Sequence, residues 1–334
     1  MRFLIAGLGS VGRRHLRNLL SLGEKDIVLV RTGLSTLPEE ELAGFPVEKD
    51  IQSALSHWSP DAVIVSNPTA MHLDVAIPAA EAGCHLLIEK PVSHDLRRID
   101  ELRAALQKGG GRVLVGFQYR FHPGLLKTKD LLDQKAIGGP ICARAHWGEY
   151  LPDWHPWEDY RDSYACRRDM GGGVLLTLCH PFDYLRWLLG EPENVVGLVG
   201  GLGLGLEVEE TAEAALRFVS SVIAGVHLDY NQRPPARTLE IVGREGTIRW
   251  DYHQGEVSVW TAAGKIWQAY PDPEGFERNT MFLDEMRHFL TLARGETDST
   301  CTLADGVAAV RIALAVRESA ADGKAVPLYP TATG

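Results

Sequence analysis

MRFLIAGLGSVGRRH, residues 1–15, decides the fold. Residues 2–6 form a short apolar run that suits a buried strand. Gly7-Leu8-Gly9-Ser10-Val11-Gly12 follows at once, and Val11, Leu16, Leu19 and Leu20 then recur at helical spacing. Strand, glycine turn and helix in that order are the setting in which G-x-G-x-x-G cradles a dinucleotide. Gly7 would allow the tight turn, Gly9 the approach of the backbone to a pyrophosphate, and Gly12 the close packing of helix on strand. The N–H groups of Ser10, Val11 and Gly12 would then face the anion at the positive end of the helix dipole. Without its flanks the same hexapeptide would mark no more than a turn.

Working outward, residues 26–30 (DIVLV), 61–66 (DAVIVS), 85–89 (HLLIE) and 112–117 (RVLVGF) read as further strands. Helical stretches at 73–82 and 96–107 separate the later ones. Strands alternating with helices at this pace predict a doubly wound parallel sheet, whose ligands gather at the strand C-termini. Those ends carry residues 7–12, Arg31, Asn67, Pro68 and Thr69 with His72 just behind, and then Glu89, Lys90 and Pro91. Arg31 lies nineteen positions after Gly12, where an acidic residue would hold the ribose 2′-hydroxyl of NAD. A cation there, followed by Thr32, suits the 2′-phosphate of NADP; the alternative is a solvated arginine with NAD held less specifically.

A length of 334 residues predicts two domains, set here at 1–119 and 120–334. The net charge of −10 and the lack of a basic stripe argue against nucleic acid. No apolar run approaches a membrane span, and a strand starting at residue 2 leaves no room for a signal peptide. Cysteines 84, 142, 166, 179 and 301 are odd in number and never in C-x-x-C spacing, the usage of reduced cytoplasmic thiols. Twelve histidines show no H-E-x-x-H pairing, so no metal is expected.

Past residue 120 the pattern changes. Residues 147–161 (WGEYLPDWHPWEDYR) interleave aromatics with carboxylates. They read either as a loop packed by its own tryptophans or as a sugar site lined by Trp154, His155, Trp157 and Arg161. In residues 171–190, Leu175, Leu178, Phe182, Leu185 and Leu189 form a core stripe, and Thr177, His180, Asp183 and Trp187 a second one. Pro181 lacks the N–H that would bond Thr177, so the helix should kink or restart there. Alternating strands are expected at 211–219 and 222–230, joined by a Ser220-Ser221 hairpin, then at 239–242, 246–250, 256–260 and 265–269. The Gly-Leu alternation at 200–206 reads as a strand or flexible edge, and two helices around Phe282–Leu290 and Val307–Leu314 close the chain.

Five motifs in order, GLGSVGRRH, SNPTAMH, AGCHLLIEKPVS, GFQYRFHP and GGGVLLTLCHPFDYLRWLLG, span essentially the whole chain. Together they resemble the Gfo/Idh/MocA oxidoreductases, a family that includes glucose–fructose oxidoreductase and inositol 2-dehydrogenase. The resemblance implies an α/β chain: an N-terminal Rossmann domain, then an α+β domain with an open, mostly antiparallel sheet that commonly makes subunit contacts. It implies hydride transfer between NADP, or NAD, and a secondary alcohol or ketone of a sugar-like substrate. On it rest the acid–base role of His180, the oxyanion role of Lys90 and the substrate-side placement of Tyr119 and Arg120. The family's usual aspartate four residues before this histidine is Leu176 here, which leaves Asp183 as a substitute partner. A homodimer or homotetramer through the C-terminal sheet is expected, because apolar residues such as Trp260 and Trp267 fall on both parities of its strands. Reduction of a C=N or C=C bond, and a dinucleotide-binding regulator without turnover, stand as alternatives.

Overall fold

The computed structural model describes residues 1–31, 37, 40–201 and 203–329. They form two compact units. One comprises Met1–Gln118, Asp169–Gly171 and Arg278–Val307; the other comprises Tyr119–Arg168, Gly172–Glu277 and Ala308–Gly334. Residues 278–307, expected in the second domain, therefore fold with the first unit.

The first unit is built on strands β1 (Phe3–Ala6), β2 (Ile27–Val30), β3 (Val47–Glu48), β4 (Ala62–Val65), β5 (His85–Glu89) and β6 (Val113–Gly116). They form a six-stranded sheet in the order β3-β2-β1-β4-β5-β6, with every pairing parallel. β1, β2 and β4 are buried along their whole length, which is why they read as unbroken apolar runs. Helices α1 (Ser10–Ser21), α2 (Ile51–Trp58), α3 (His72–Glu81) and α4 (Ile99–Gly109) alternate with the strands. Sequence order runs one way from β1 and the other way from β4, so a crevice opens at their carboxyl ends. Thr32, predicted to hold the cofactor, lies outside the described residues.

The second unit contains α5 (Pro123–Asp133), β7 (Pro140–Tyr150), α6 (Val174–Thr177), α7 (His180–Leu189) and β8 (Pro192–Gly200). It continues through β9 (Thr211–Phe218), β10 (Ile223–Asp229), β11 (Asn231–Gly243), β12 (Gly246–Asp251), β13 (Glu256–Thr261) and β14 (Trp267–Pro271). After α8 (Arg278–Ala293), which belongs to the first unit, come α9 (Leu303–Asp322) and β15 (Val326–Pro327). The nine strands run β14-β13-β12-β11-β7-β10-β9-β8-β15. Among the described residues of this sheet only β7 and β10 pair in parallel.

Period-two burial runs along these strands, as in β9, where Ala212, Ala214, Leu216 and Phe218 point inward. The Ser220-Ser221 hairpin joins β9 and β10 with Ser221 at a φ of +66°. Of the described residues in the Gly-Leu run, only Gly200 lies in a strand, so the run follows the edge reading. β8 stops at Gly200, and the N–H groups of Leu204 and Leu206 donate to the Glu210 carboxylate at 2.8 and 3.0 Å instead of to a neighbouring strand. α6 ends at Thr177 and α7 restarts at His180, with Pro181 in its first turn, where a missing N–H costs nothing.

Candidate functional site

The glycine loop is held from behind and open in front. A Cβ on Gly7, whose φ is +94°, would fall on the Asn67 backbone, and one on Gly12 would meet the Gly7 carbonyl and Ser66 Oγ. Ser66 Oγ donates to the Gly7 carbonyl at 2.9 Å, which ties the loop after β1 to the end of β4. Gly9 has nothing within 4 Å on its Cβ side. It is the N-cap of α1, without a side-chain cap and without an acidic residue in the first turn. That set fits a dinucleotide pyrophosphate: bare backbone, open space and the positive end of a helix dipole.

Around this cradle the predicted residues fall on two neighbouring loops. His72 is buried, its Nε2 2.8 Å from the Asn67 carbonyl and its Nδ1 2.9 Å from that of Pro91, so it pins the 67–69 loop to the one carrying Lys90. Burial lowers its pKa, although both carbonyls favour the charged ring. Thr69 is buried beneath Gly171, whose Cβ would touch its side chain and that of His94. Arg31 continues β2 by donating its N–H to the Glu48 carbonyl at 3.1 Å.

Beneath Lys90, Glu89 Oε1 lies 2.8 Å from His15 Nε2, and its Oε2 accepts from the Lys90 N–H at 3.2 Å. Burial alone would raise the Glu89 pKa, but the His15 hydrogen bond and the charges of His15 and Lys90 hold it below the usual range.

In the second unit His180 opens α7 and stacks on Trp147, ring centroids 5.0 Å apart at 18°, with Tyr119 at 4.8 Å on another side. Trp147 therefore belongs to β7 and to the surroundings of His180, not to the loop in which the sequence reading put it. Its indole N–H donates to Glu149 Oε1 at 2.6 Å. The same oxygen accepts from Arg237 Nε at 2.9 Å and Nη2 at 2.5 Å. Arg237 Nη1 donates to the Tyr119 hydroxyl at 2.8 Å, and its guanidinium lies over the rings of Trp147 and Tyr252. Burial opposes the Arg237 charge, but Tyr119, Glu149 and Tyr252 keep it firmly protonated.

His122 stacks beside Tyr119 and accepts from the Gly124 N–H through Nδ1 at 2.9 Å. Burial and the Arg237 charge push its pKa down to about 3, so it is neutral. Trp147, Glu149, Arg237 and His122 were missed in the sequence. The one available signal was Trp147 and Glu149 two apart, hence on one face of a strand.

Arg120 and Asp183 form a buried pair, Nε to Oδ2 at 2.9 Å and Nη2 to Oδ1 at 2.6 Å, so both carboxylate oxygens of Asp183 are engaged by the guanidinium. The predicted sugar-binding stretch has contacts of its own. Trp154 meets Tyr230 edge-on at 5.7 Å, and His155 packs on Trp157 at 4.9 Å. Trp157 is 56% exposed, and Arg161 lies over the ring of Tyr160.

Comparison with known proteins matches both parts. Residues 1–117 fit the family described as "Oxidoreductase family, NAD-binding Rossmann fold", and residues 125–249 fit the "GFO/IDH/MocA C-terminal domain". The chain is 27% identical over 344 residues to scyllo-inositol 2-dehydrogenase (NAD(+)) of Bacillus subtilis, covering 98% of this chain and 96% of that protein. It is 28% identical over 305 residues to 1,5-anhydro-D-fructose reductase of Ensifer adhaerens, covering 89% and 84%. In fold it is similar to levoglucosan dehydrogenase in complex with NADH and levoglucosan, at a TM-score of 0.88 and 22% identity over 99% of this chain and 100% of that one. Glycine cradle, parallel sheet, open second sheet and both matched domains agree: the chain belongs to the Gfo/Idh/MocA family of NAD-binding oxidoreductases.

Proposed function

We propose that the protein interconverts a secondary alcohol and a ketone on a sugar-like or cyclitol substrate, with NADP preferred over NAD. The observation that carries this reading is His180, a polar group on the first turn of a helix, set against the faces of Trp147 and Tyr119. The packed rings hold this one acid–base group in place, the fixed geometry that proton transfer to and from a polyol hydroxyl needs. The nicotinamide, when bound, takes up or gives back the hydride.

His180 takes the hydroxyl proton as the carbinol is oxidised and returns it in reduction. Lys90 donates to the reacting oxygen and stabilises its developing charge. Asp183 acts through Arg120, the pair fixing the first turn of α7. Asn67, Pro68, Thr69, His72, Glu89 and Pro91 shape the cofactor's bed, and Trp154, His155, Trp157 and Arg161 are our candidates for the outlying hydroxyls. The names of inositol and anhydrofructose enzymes among the relatives support a cyclic polyol as the substrate class. The five free cysteines, four of them buried, support a reducing compartment, the cytoplasm. Among the described residues no helix is long and apolar enough to cross a membrane.

The NADP preference rests on Arg31 at the end of β2. A charge-assisted guanidinium–phosphate contact adds about 1.5–3 kcal/mol. Turnover is tested by following reduced-nicotinamide absorbance with each cofactor over a panel of inositols, anhydrosugars and ketoses. NADP should give the higher kcat/KM, and Arg31→Ala should weaken NADP while sparing NAD. Equal use of both cofactors by the unmutated protein would overturn the preference, and silence across the panel the substrate class.

A further inference from the structure

The outward face of the second sheet carries a polar group of residues that the reaction does not use. His146 on β7 and His227 on β10 are register partners on adjacent parallel strands, their rings stacked at 4.5 Å and 29°. Asp229 lies two residues beyond His227 on the same face, and its Oδ2 is 3.0 Å from His227 Nε2. Gln232, at the start of β11, brings Oε1 to 2.5 Å from His146 Nε2. Gly148, two residues beyond His146, closes the arrangement. The place of its missing Cβ is filled by Gln232 Oε1 and Asp229 Oδ2 together, so these two oxygens crowd one point. Both oxygens act as acceptors toward the Nε2 atoms of His146 and His227, so four potential ligand atoms share one small space.

We infer that His146, His227, Asp229 and the Gln232 carbonyl form a binding site for a divalent cation of the zinc type. Nitrogen atoms from two imidazoles and oxygen atoms from a carboxylate and an amide are donors that a borderline-soft cation takes in tetrahedral array. Adjacent ligand atoms in such an array stand about 3.3–3.5 Å apart, given metal–ligand bonds of about 2.0–2.2 Å. The two histidine nitrogens and the aspartate oxygen fall within 4.8 Å of one another, so modest side-chain rotation brings them to that spacing.

The outer residues point the same way. Glu213, the cross-strand partner of His227 on β9, takes the Nδ1–H of that ring at 2.5 Å. A carboxylate on Nδ1 orients the ring as it orients metal-bound histidines, and Nε2, which donates to Asp229 Oδ2 here, would give up its proton to a bound cation. The site opens into a groove of about 720 Å³ on the sheet face, lined also by Arg144, Glu240 and Arg249, which gives an ion a path from solvent.

The test uses the full-length protein, stripped of metal with a chelator and dialysed. Titration with Zn²⁺ followed by calorimetry should show one equivalent per chain, and mass spectrometry of the native protein the added mass of one ion. His227→Gln and Asp229→Asn should each abolish that equivalent, and Glu213→Gln should weaken it by about 10–100-fold. Co²⁺ in place of Zn²⁺ should give visible bands without sulfur charge transfer, which excludes the cysteines as ligands. Circular dichroism in chelator checks that each variant is folded, and His146→Gln replaces any that is not. No bound equivalent, or one that survives these substitutions, overturns the site; the histidines and acids then form a metal-free ion-pair cluster.

Discussion

Glu285 on α8 has no exposed surface, and among the described residues neither carboxylate oxygen has a hydrogen-bond partner. Atoms of His15 and Glu89 lie within 4.8 Å of it. Burial, with the Glu89 charge adding to it, pushes the Glu285 pKa well above the ordinary value, so the group is neutral beside an ionised Glu89. Its folded-state pKa exceeds the unfolded one. The linked stability is therefore complete below the ordinary glutamate value and is lost as pH rises through the raised one. Glu285→Gln removes the titration. Its stability relative to the unmutated protein should climb with pH, by at most about 1.4 kcal/mol per unit. Thermal melts across neutral and alkaline pH test this, and parallel profiles for the two proteins would contradict it. Nothing in the sequence around residue 285 marked the group, because the partners that bury it come from residues 15 and 89.

At the scale of elements, one buried pair ties the first turn of α7 to the segment before α5. Asp183 sits in its first turn, and both oxygens take hydrogen bonds from Arg120. Asp183→Asn leaves a buried guanidinium without its counter-charge and should cost about 3–5 kcal/mol in urea unfolding. Replacing both residues by apolar ones of similar volume should recover most of that loss. A near-silent single variant would show that the pair does not anchor the helix. The restart of the helix at His180 was readable from Pro181 alone, since a missing N–H is a local property of the chain. Strands β1, β2, β4, β5 and β6 were legible for the same reason, their burial being written as continuous apolar runs, whereas the short, exposed β3 was not. Arg237, Glu149 and Trp147 were not legible as partners, because β7 and β11 meet only through a pairing of residues nearly ninety positions apart.

At the scale of the whole molecule, the second sheet supports the assembly we propose. The face opposite its inward apolar rows is more polar than the sequence suggested, carrying Arg144, His146, Glu213, His227, Glu240 and Arg249. Apolar groups remain exposed at its margins, among them Ile141, Val196, Leu198 at 70% and Trp267. A second copy seated on those apolar margins would bury them and leave the polar groove open to solvent. Light scattering at micromolar concentration should return two or four times 36.7 kDa, and a mass of 36.7 kDa would refute the assembly. Position of the metal ligands was likewise invisible in the sequence, where His146, His227 and Gln232 obey no spacing rule; the register of β7 on β10 makes the group.

The reaction we propose is hydride transfer from a carbinol carbon, with His180 moving the proton and Lys90 holding the oxygen. It is tested most directly with a cyclic polyol deuterated at the reacting carbon, incubated with NADP, with the reduced cofactor weighed by mass spectrometry. The unmutated protein should deliver one deuterium per reduced cofactor. His180→Asn should lower kcat about 10²–10⁴-fold and Lys90→Met about 10²–10³-fold, both with cofactor affinity retained in calorimetry. Reduced cofactor without deuterium, or full turnover by Lys90→Met, would contradict the account.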